Sequence, residues 1–170
     1  ENVGNSGNGT LTQTGGTHAV TNTLRIAANG GSTGTYNLQG GSLTAALLIN
    51  NDTLNFSGGS LNAVIENNDA LNFYGGGTRA LSGAVTNNGV MDVAAGTTAQ
   101  FNGLVNGAGS ITGGGTSVFN GGFSPGNSPA LVNIAGDVAF GSSNTLLIEL
   151  AGLTPGGQYD VLDVAGEAFL

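Results

Sequence analysis

Leu54-Asn55-Phe56-Ser57-Gly58-Gly59-Ser60 returns as Leu71-Asn72-Phe73-Tyr74-Gly75-Gly76-Gly77, and Tyr36-Asn37-Leu38-Gln39-Gly40-Gly41-Ser42 stands before both. With the first Gly of each pair as a marker, Gly15, Gly40, Gly58 and Gly75 follow one another at spacings of 25, 18 and 17. Asn-Asn pairs closing at Asn51, Asn68 and Asn88 keep a similar beat, with spacings of 17 and 20, and Asn106 follows 18 later. Each unit reads as a short strand, an Asn turn, a second strand and a Gly turn. A repeat this short cannot bury an apolar face by itself and must stack on its neighbours.

Inside the units, apolar and polar residues alternate, as in Leu54/Phe56 and Leu71/Phe73, which is the period of a half-buried strand. No stretch carries helical periodicity. The spacing predicts an all-β chain, a right-handed parallel β-helix (β-solenoid) of about 17–20 residues per coil, each coil pairing with the next at about 4.8 Å. Leucine-rich repeats of similar length need regular leucines and a single Asn, and that consensus is missing. Asn-Gly steps such as Asn29-Gly30 and Asn88-Gly89 are also hairpin signals, which makes an antiparallel β-sandwich the second reading. Repetition of whole units favours the solenoid. Stacking like on like then predicts an internal or edge ladder of Asn51, Asn68 and Asn88, with Phe56 over Phe73.

Composition narrows the function. Of 170 residues, 39% are hydrophobic and only 7% charged; there are 33 glycines, no cysteine and no tryptophan. Few charges and three prolines argue against a disordered chain. The net charge of −8 comes from ten acidic residues against Arg25 and Arg79. So acidic a chain disfavours nucleic acid and anionic membrane surfaces as partners. Without cysteine there is no disulfide framework and no thiolate zinc site, and no cofactor motif is legible. No signal peptide opens the chain and no apolar run of about 18 residues crosses it, so any export signal or membrane anchor is expected outside this segment. A chain rich in Asn, Thr and Gly with no lysine fits a bacterial surface or extracellular setting.

The pattern changes after residue 120. Two of the three prolines fall in Gly121-Gly122-Phe123-Ser124-Pro125-Gly126-Asn127-Ser128-Pro129. The expected organisation is one domain: a β-helix repeat region over 1–120, a Pro/Gly loop over 121–130, and wider solenoid rungs over 131–170. Strands are expected at 131–134, 138–140, 145–150 and 159–164.

This C-terminal text carries a family resemblance. Ser124-Pro125-Gly126-Asn127-Ser128-Pro129, Gly136-Asp137-Val138, Leu146-Leu147-Ile148-Glu149-Leu150-Ala151-Gly152 and Gln158-Tyr159-Asp160-Val161-Leu162-Asp163-Val164-Ala165-Gly166 together resemble a block found in autotransporter-type passengers and in exported β-solenoid proteins with a PEP-CTERM sorting signal. Ala130 stands where that block usually repeats Gly. The resemblance covers roughly residues 120–166 and implies a right-handed parallel β-helix, export, and a structural, adhesive or matrix role.

Candidate sites are few. Asp52 and Asp69, one repeat apart with Glu66 nearby, are placed to share a face on neighbouring coils, as an acid/base pair or calcium ligands would. As residues following Asn-Asn they also read as solvated turn positions, with no cation predicted beside them. Gly156-Gly157-Gln158-Tyr159-Asp160 nearly spells a calcium nonapeptide, but once only and with Asp one place early. His18 lacks a sequence-near carboxylate and reads as a surface turn residue; Arg25 and Arg79 are expected to pair with turn carboxylates or stay solvated. Tyr36, Tyr74 and Tyr159 are the only tyrosines available to an adhesive surface. The sequence therefore points to no enzyme. It points to a structural protein of a filament, surface or biofilm matrix, a homo-polymer through the solenoid ends. An adhesin segment binding glycan or a cell surface is the alternative, and a polysaccharide-cleaving β-helix a distant third.

Overall fold

A computed structural model of the chain describes residues 1–126 and 129–170. The described residues are all-β, with parallel strands stacked as a β-solenoid of about seven turns and about 20 residues per turn. Every strand-to-strand ladder is parallel; Thr53–Phe56, for example, pairs with Thr35–Leu38 on one side and with Ala70–Phe73 on the other. The antiparallel sandwich is thereby excluded, because the Asn-Gly steps turn corners between sides of a coil instead of closing hairpins.

Each coil has three sides. The first runs through Thr53–Phe56, Ala70–Phe73, Val90–Val93 and Ser110–Thr112. The second runs through Gly77–Leu81, Thr97–Phe101, Thr116–Phe119 and Asp137–Phe140. The third includes Val85–Asn87, Val105–Gly107 and Phe123–Pro125. In the first two full coils strand pairing is nearly continuous, so Asn8–Ile26 and Thr33–Asn50 each wrap all three sides, with register shifts at Gln13/Thr14, Thr14/Thr17 and Val20/Thr23 marking the corners.

Alternate residues point to opposite faces of a strand, so each side sends two or three columns of side chains inward. Leu54, Leu71, Met91 and Ile111 form one such column, Leu81, Phe101 and Phe119 another, and Leu48, Ile65, Val85 and Val105 a third; all are essentially inaccessible to water. These columns meet on the axis as one core. At the corner after the first side the paired glycines have a steric reason. Gly41 and Gly59 have φ of 79° and 82°, and a Cβ on either would strike the backbone of the corner in the preceding coil.

Four expectations need correction. Asn106 is out of phase with the Asn-Asn markers: it lies opposite Thr86, because its own unit has Gly107-Ala108 where others have Asn-Asn. The 121–130 stretch is only partly a loop, since Phe123–Pro125 is a strand seated on Val105–Gly107; Asn127 and Ser128 of that stretch lie outside the described residues. Thr145 to Leu150 is not a strand and touches the sheet through a bridge from Leu146 to Phe123, and the strand expected from Tyr159 begins at Val161. The widening over 131–170 is present: Leu131–Ile134 pairs with Val161–Val164, a turn half as long again as the earlier ones.

Candidate functional site

The Asn-Asn corners carry two amide ladders. Asn68 Nδ2 donates to Asn51 Oδ1 and Asn88 Nδ2 to Asn68 Oδ1, both at 2.9 Å, so Asn51, Asn68 and Asn88 form the expected ladder, on the outer edge. The residue before each one forms a second ladder inside the core, which the sequence reading missed. Asn50 Nδ2 donates to Asn67 Oδ1 at 2.7 Å, and Asn67 Nδ2 to Asn87 Oδ1 at 2.8 Å. Asn50, Asn67 and Asn87 are fully or almost fully buried, and further donation to the Ala70, Asp69, Val90 and Ser110 carbonyls satisfies their amide nitrogens. The signal was in the text: neighbours in a strand face opposite ways, so an Asn pair must supply one residue to each side.

Phe56 lies directly over Phe73 in register, with ring centroids 6.2 Å apart and planes tilted by 52°. From there the aromatic contact passes to Phe101 at 5.8 Å, edge to face, and on to Phe119 at 5.2 Å, stacked. This run crosses from the first side to the second within the core and contributes both burial and ring contacts.

A third ladder lies on the outer face of the first side. Asn37 Nδ2 reaches Thr12 Oγ1 at 3.2 Å, Asn55 reaches Asn37 at 2.8 Å, Asn72 reaches Asn55 at 2.9 Å, and Thr112 Oγ1 donates to Asp92 Oδ1 at 2.8 Å. Asp92 itself lies opposite Asn72, so six coils present a continuous row of amides, hydroxyls and one carboxylate.

Of the carboxylates proposed for chemistry, Asp52, Glu66 and Asp160 accept hydrogen bonds within the fold. Asp52 and Asp69 precede register partners Thr53 and Ala70, so they do sit one coil apart. Asp52, however, accepts from the Gly34 amide at 2.8 Å and from the Thr53 hydroxyl at 3.0 Å. Glu66 accepts from Asn68 Nδ2 at 3.1 Å. Asp160, the acid of the calcium-like phrase, is buried and accepts from the Ala130 and Glu149 amides at 2.8 and 2.9 Å, which makes it the clasp of the wide last coil. Among the described residues no three His, Cys, Asp or Glu side chains gather as a metal site would require.

His18 is not a surface turn residue. It lies in a strand at the head of the Leu43 and Leu61 core column and stacks on Tyr36 with planes 9° apart. Gln13 points its amide nitrogen at the Gly15, Gly16 and Ser42 carbonyls, at 3.4, 3.3 and 3.1 Å, which turns its oxygen toward Tyr36. The Tyr36 hydroxyl donates to that oxygen at 2.7 Å and lies 2.7 Å from His18 Nδ1, while His18 Nε2 faces the Glu1 carboxylate at 2.9 Å. The carboxylate partner comes from the previous coil, out of reach of local sequence. Burial first, and the Glu1 carboxylate second, push the Tyr36 hydroxyl up to about 12. Tyr36 is thus a core residue and unavailable to a surface, whereas Tyr74 is exposed. Arg79 folds back on its own turn and donates to the Tyr74 and Thr78 carbonyls at 3.2 and 3.0 Å.

The two surfaces that cut across the stack differ from its sides. One carries the free edges of Thr10–Gln13 and Thr17–Val20, beside a hollow lined by Leu11, Gln13 and His18. The other carries Val161–Val164 and Ala168–Phe169, beside a hollow lined by Phe140, Leu146 and Leu170. Among the described residues these edges have no sheet partner on their outer side. Among the described residues no helix is long and apolar enough to cross a membrane. Comparison of the chain with protein-family models, curated proteins and solved structures gave no match.

Proposed function

We propose that the protein is an extracellular structural element whose solenoid grows by stacking further coils on its two end surfaces, as a subunit of a filament or surface matrix. The observation that carries this reading is that, among the described residues, the strand edges on both surfaces have no sheet partner on their outer side. At one end the third side already holds an extra strand, Asn2–Val3, above Arg25 and Ile26. At the other, the first and second sides extend to Val161–Val164 and Ala168–Phe169, while the third stops at the bridge of Leu146 to Phe123. A second copy set head to tail would add its strands to the free edges of both surfaces. Further coils of a longer polypeptide would use the same edges. The low charge, the absence of lysine and the resemblance of residues 120–166 to exported solenoids support a bacterial surface location. The use of Asp52 and Asp160 as acceptors for backbone amides supports a scaffold over a catalyst.

Sedimentation of the Glu1–Leu170 polypeptide across a concentration series tests this. Assemblies that lengthen with concentration and are lost in Phe169→Lys, which places a charge on a free edge, are the expected result. A monodisperse monomer at high concentration would refute it. A second reading, adhesion to glycan, is favoured by the outward row from Thr12 to Thr112; retention on an immobilised polysaccharide, weakened by Asn55→Ala, is its test.

A further inference from the structure

Six Asn-Gly steps occur in the chain, at Asn8, Asn29, Asn88, Asn102, Asn106 and Asn120. In each, the glycine nitrogen is chemically able to attack the preceding side-chain amide, but only if the glycine backbone can swing onto it. Five of the six glycines are locked. A Cβ on Gly9, Gly89, Gly103, Gly107 or Gly121 would strike the backbone of Gly4, Asp69, Gly83, Asn87 or Asn102 respectively, because each is sandwiched between coils. Gly89 also donates to the Asn67 carbonyl at 3.1 Å, and Asn88, Asn102 and Asn120 are held in amide ladders.

Asn29-Gly30 is different. It lies in the loop between the strands Asn8–Ile26 and Thr33–Asn50, exposed to water, with nothing within 4 Å of a Cβ on Gly30. The Gly30 amide donates no hydrogen bond among the described residues. The Asn29 side chain, in contrast, is engaged: its Nδ2 donates to the Asn5 carbonyl at 2.6 Å and approaches Ser6 Oγ at 3.3 Å, tying this loop to the Gly4–Gly7 turn.

We infer that Asn29 is a self-modification site, a deamidation switch on the clamp between the 27–32 loop and the 4–7 turn. The Gly30 nitrogen bonds to Asn29 Cγ and loses its proton, the side-chain nitrogen leaves as ammonia, and a five-membered succinimide forms. Water then opens that ring to aspartate or isoaspartate. The product replaces an N–H donor by a carboxylate oxygen facing the Asn5 carbonyl, so the clamp becomes repulsive and the loop detaches, with one negative charge added.

Peptide mapping by mass spectrometry after incubation of the folded polypeptide in mildly alkaline buffer tests the inference, with a parallel incubation in denaturant. Asn29 is expected to convert at least about tenfold faster than any other Asn-Gly step in the folded chain, a barrier difference of about 1.4 kcal/mol, and all six are expected to converge in denaturant. Gly30→Ala, which fits the open space and a backbone outside the left-handed region, is expected to suppress conversion at Asn29. Another Asn-Gly step reacting as fast as Asn29 in the folded chain, or undiminished conversion in Gly30→Ala, would overturn the inference.

Discussion

Between Thr53 and Phe101 the coils follow one another at offsets of 17 and 20 residues, and inward side chains such as Leu54, Leu71 and Met91, or Phe56 and Phe73, stack on apolar neighbours in the next coil. Between Ile134 and Val161 the chain takes a much wider turn, and Leu147, Leu150 and Leu153 are 53%, 80% and 93% exposed. Both regions are well supplied with aliphatic residues, so apolar composition alone does not bury a side chain here. Burial follows from register, and register requires coils of nearly equal length. The wide coil keeps its closure through a single buried carboxylate, Asp160, in place of ladders.

Core truncation should separate the two regions most sharply. Phe73→Ala, at the centre of the aromatic run, is expected to cost about 3–5 kcal/mol, whereas Leu153→Ser should change stability by less than about 0.5 kcal/mol; chemical denaturation of both variants checks this. Equal costs would break the comparison. Next is the inner ladder. Asn67→Ala leaves Asn50 Nδ2 and Asn87 Oδ1 short of a buried partner and should cost about 2–4 kcal/mol, against about 1 kcal/mol or less for Asn68→Ala on the outer ladder.

Alkaline titration probes the head of the stack. The Tyr36 hydroxyl is raised from 10.0 to about 12, so the folded state favours the neutral phenol. Its contribution to stability is complete below pH 10 and is lost as pH rises through about 12. Tyr36→Phe should flatten that part of the pH–stability curve. The smallest effect is a gain. Ala27 is a non-glycine residue with positive φ, at 55°, and Ala27→Gly should stabilise by about 1 kcal/mol through relief of left-handed strain.

The repeat was legible because its determinants are local: period-2 alternation in Leu71 and Phe73, paired glycines at a corner, Asn pairs at a turn. From those, the solenoid, the Asn51/Asn68/Asn88 ladder and the Phe56–Phe73 contact followed. What was hidden depends on register between distant segments. Asn106 falls out of phase because its coil has Gly107-Ala108 in place of the Asn pair. His18 gained its partners from Glu1 and Tyr36 in adjacent coils. Thr145 to Leu150 has the composition of a strand, but it meets the preceding coil's Phe123–Pro125 through the bridge of Leu146 to Phe123 and not through a ladder.

The central claim is that the end surfaces of the stack accept further coils in register. Electron microscopy with diffraction from oriented material of the Glu1–Leu170 polypeptide tests it most directly. Filaments of constant, single-solenoid width with an axial repeat of about 4.8 Å along their length are expected; short isolated rods of one chain each, at every concentration, would rule such stacking out.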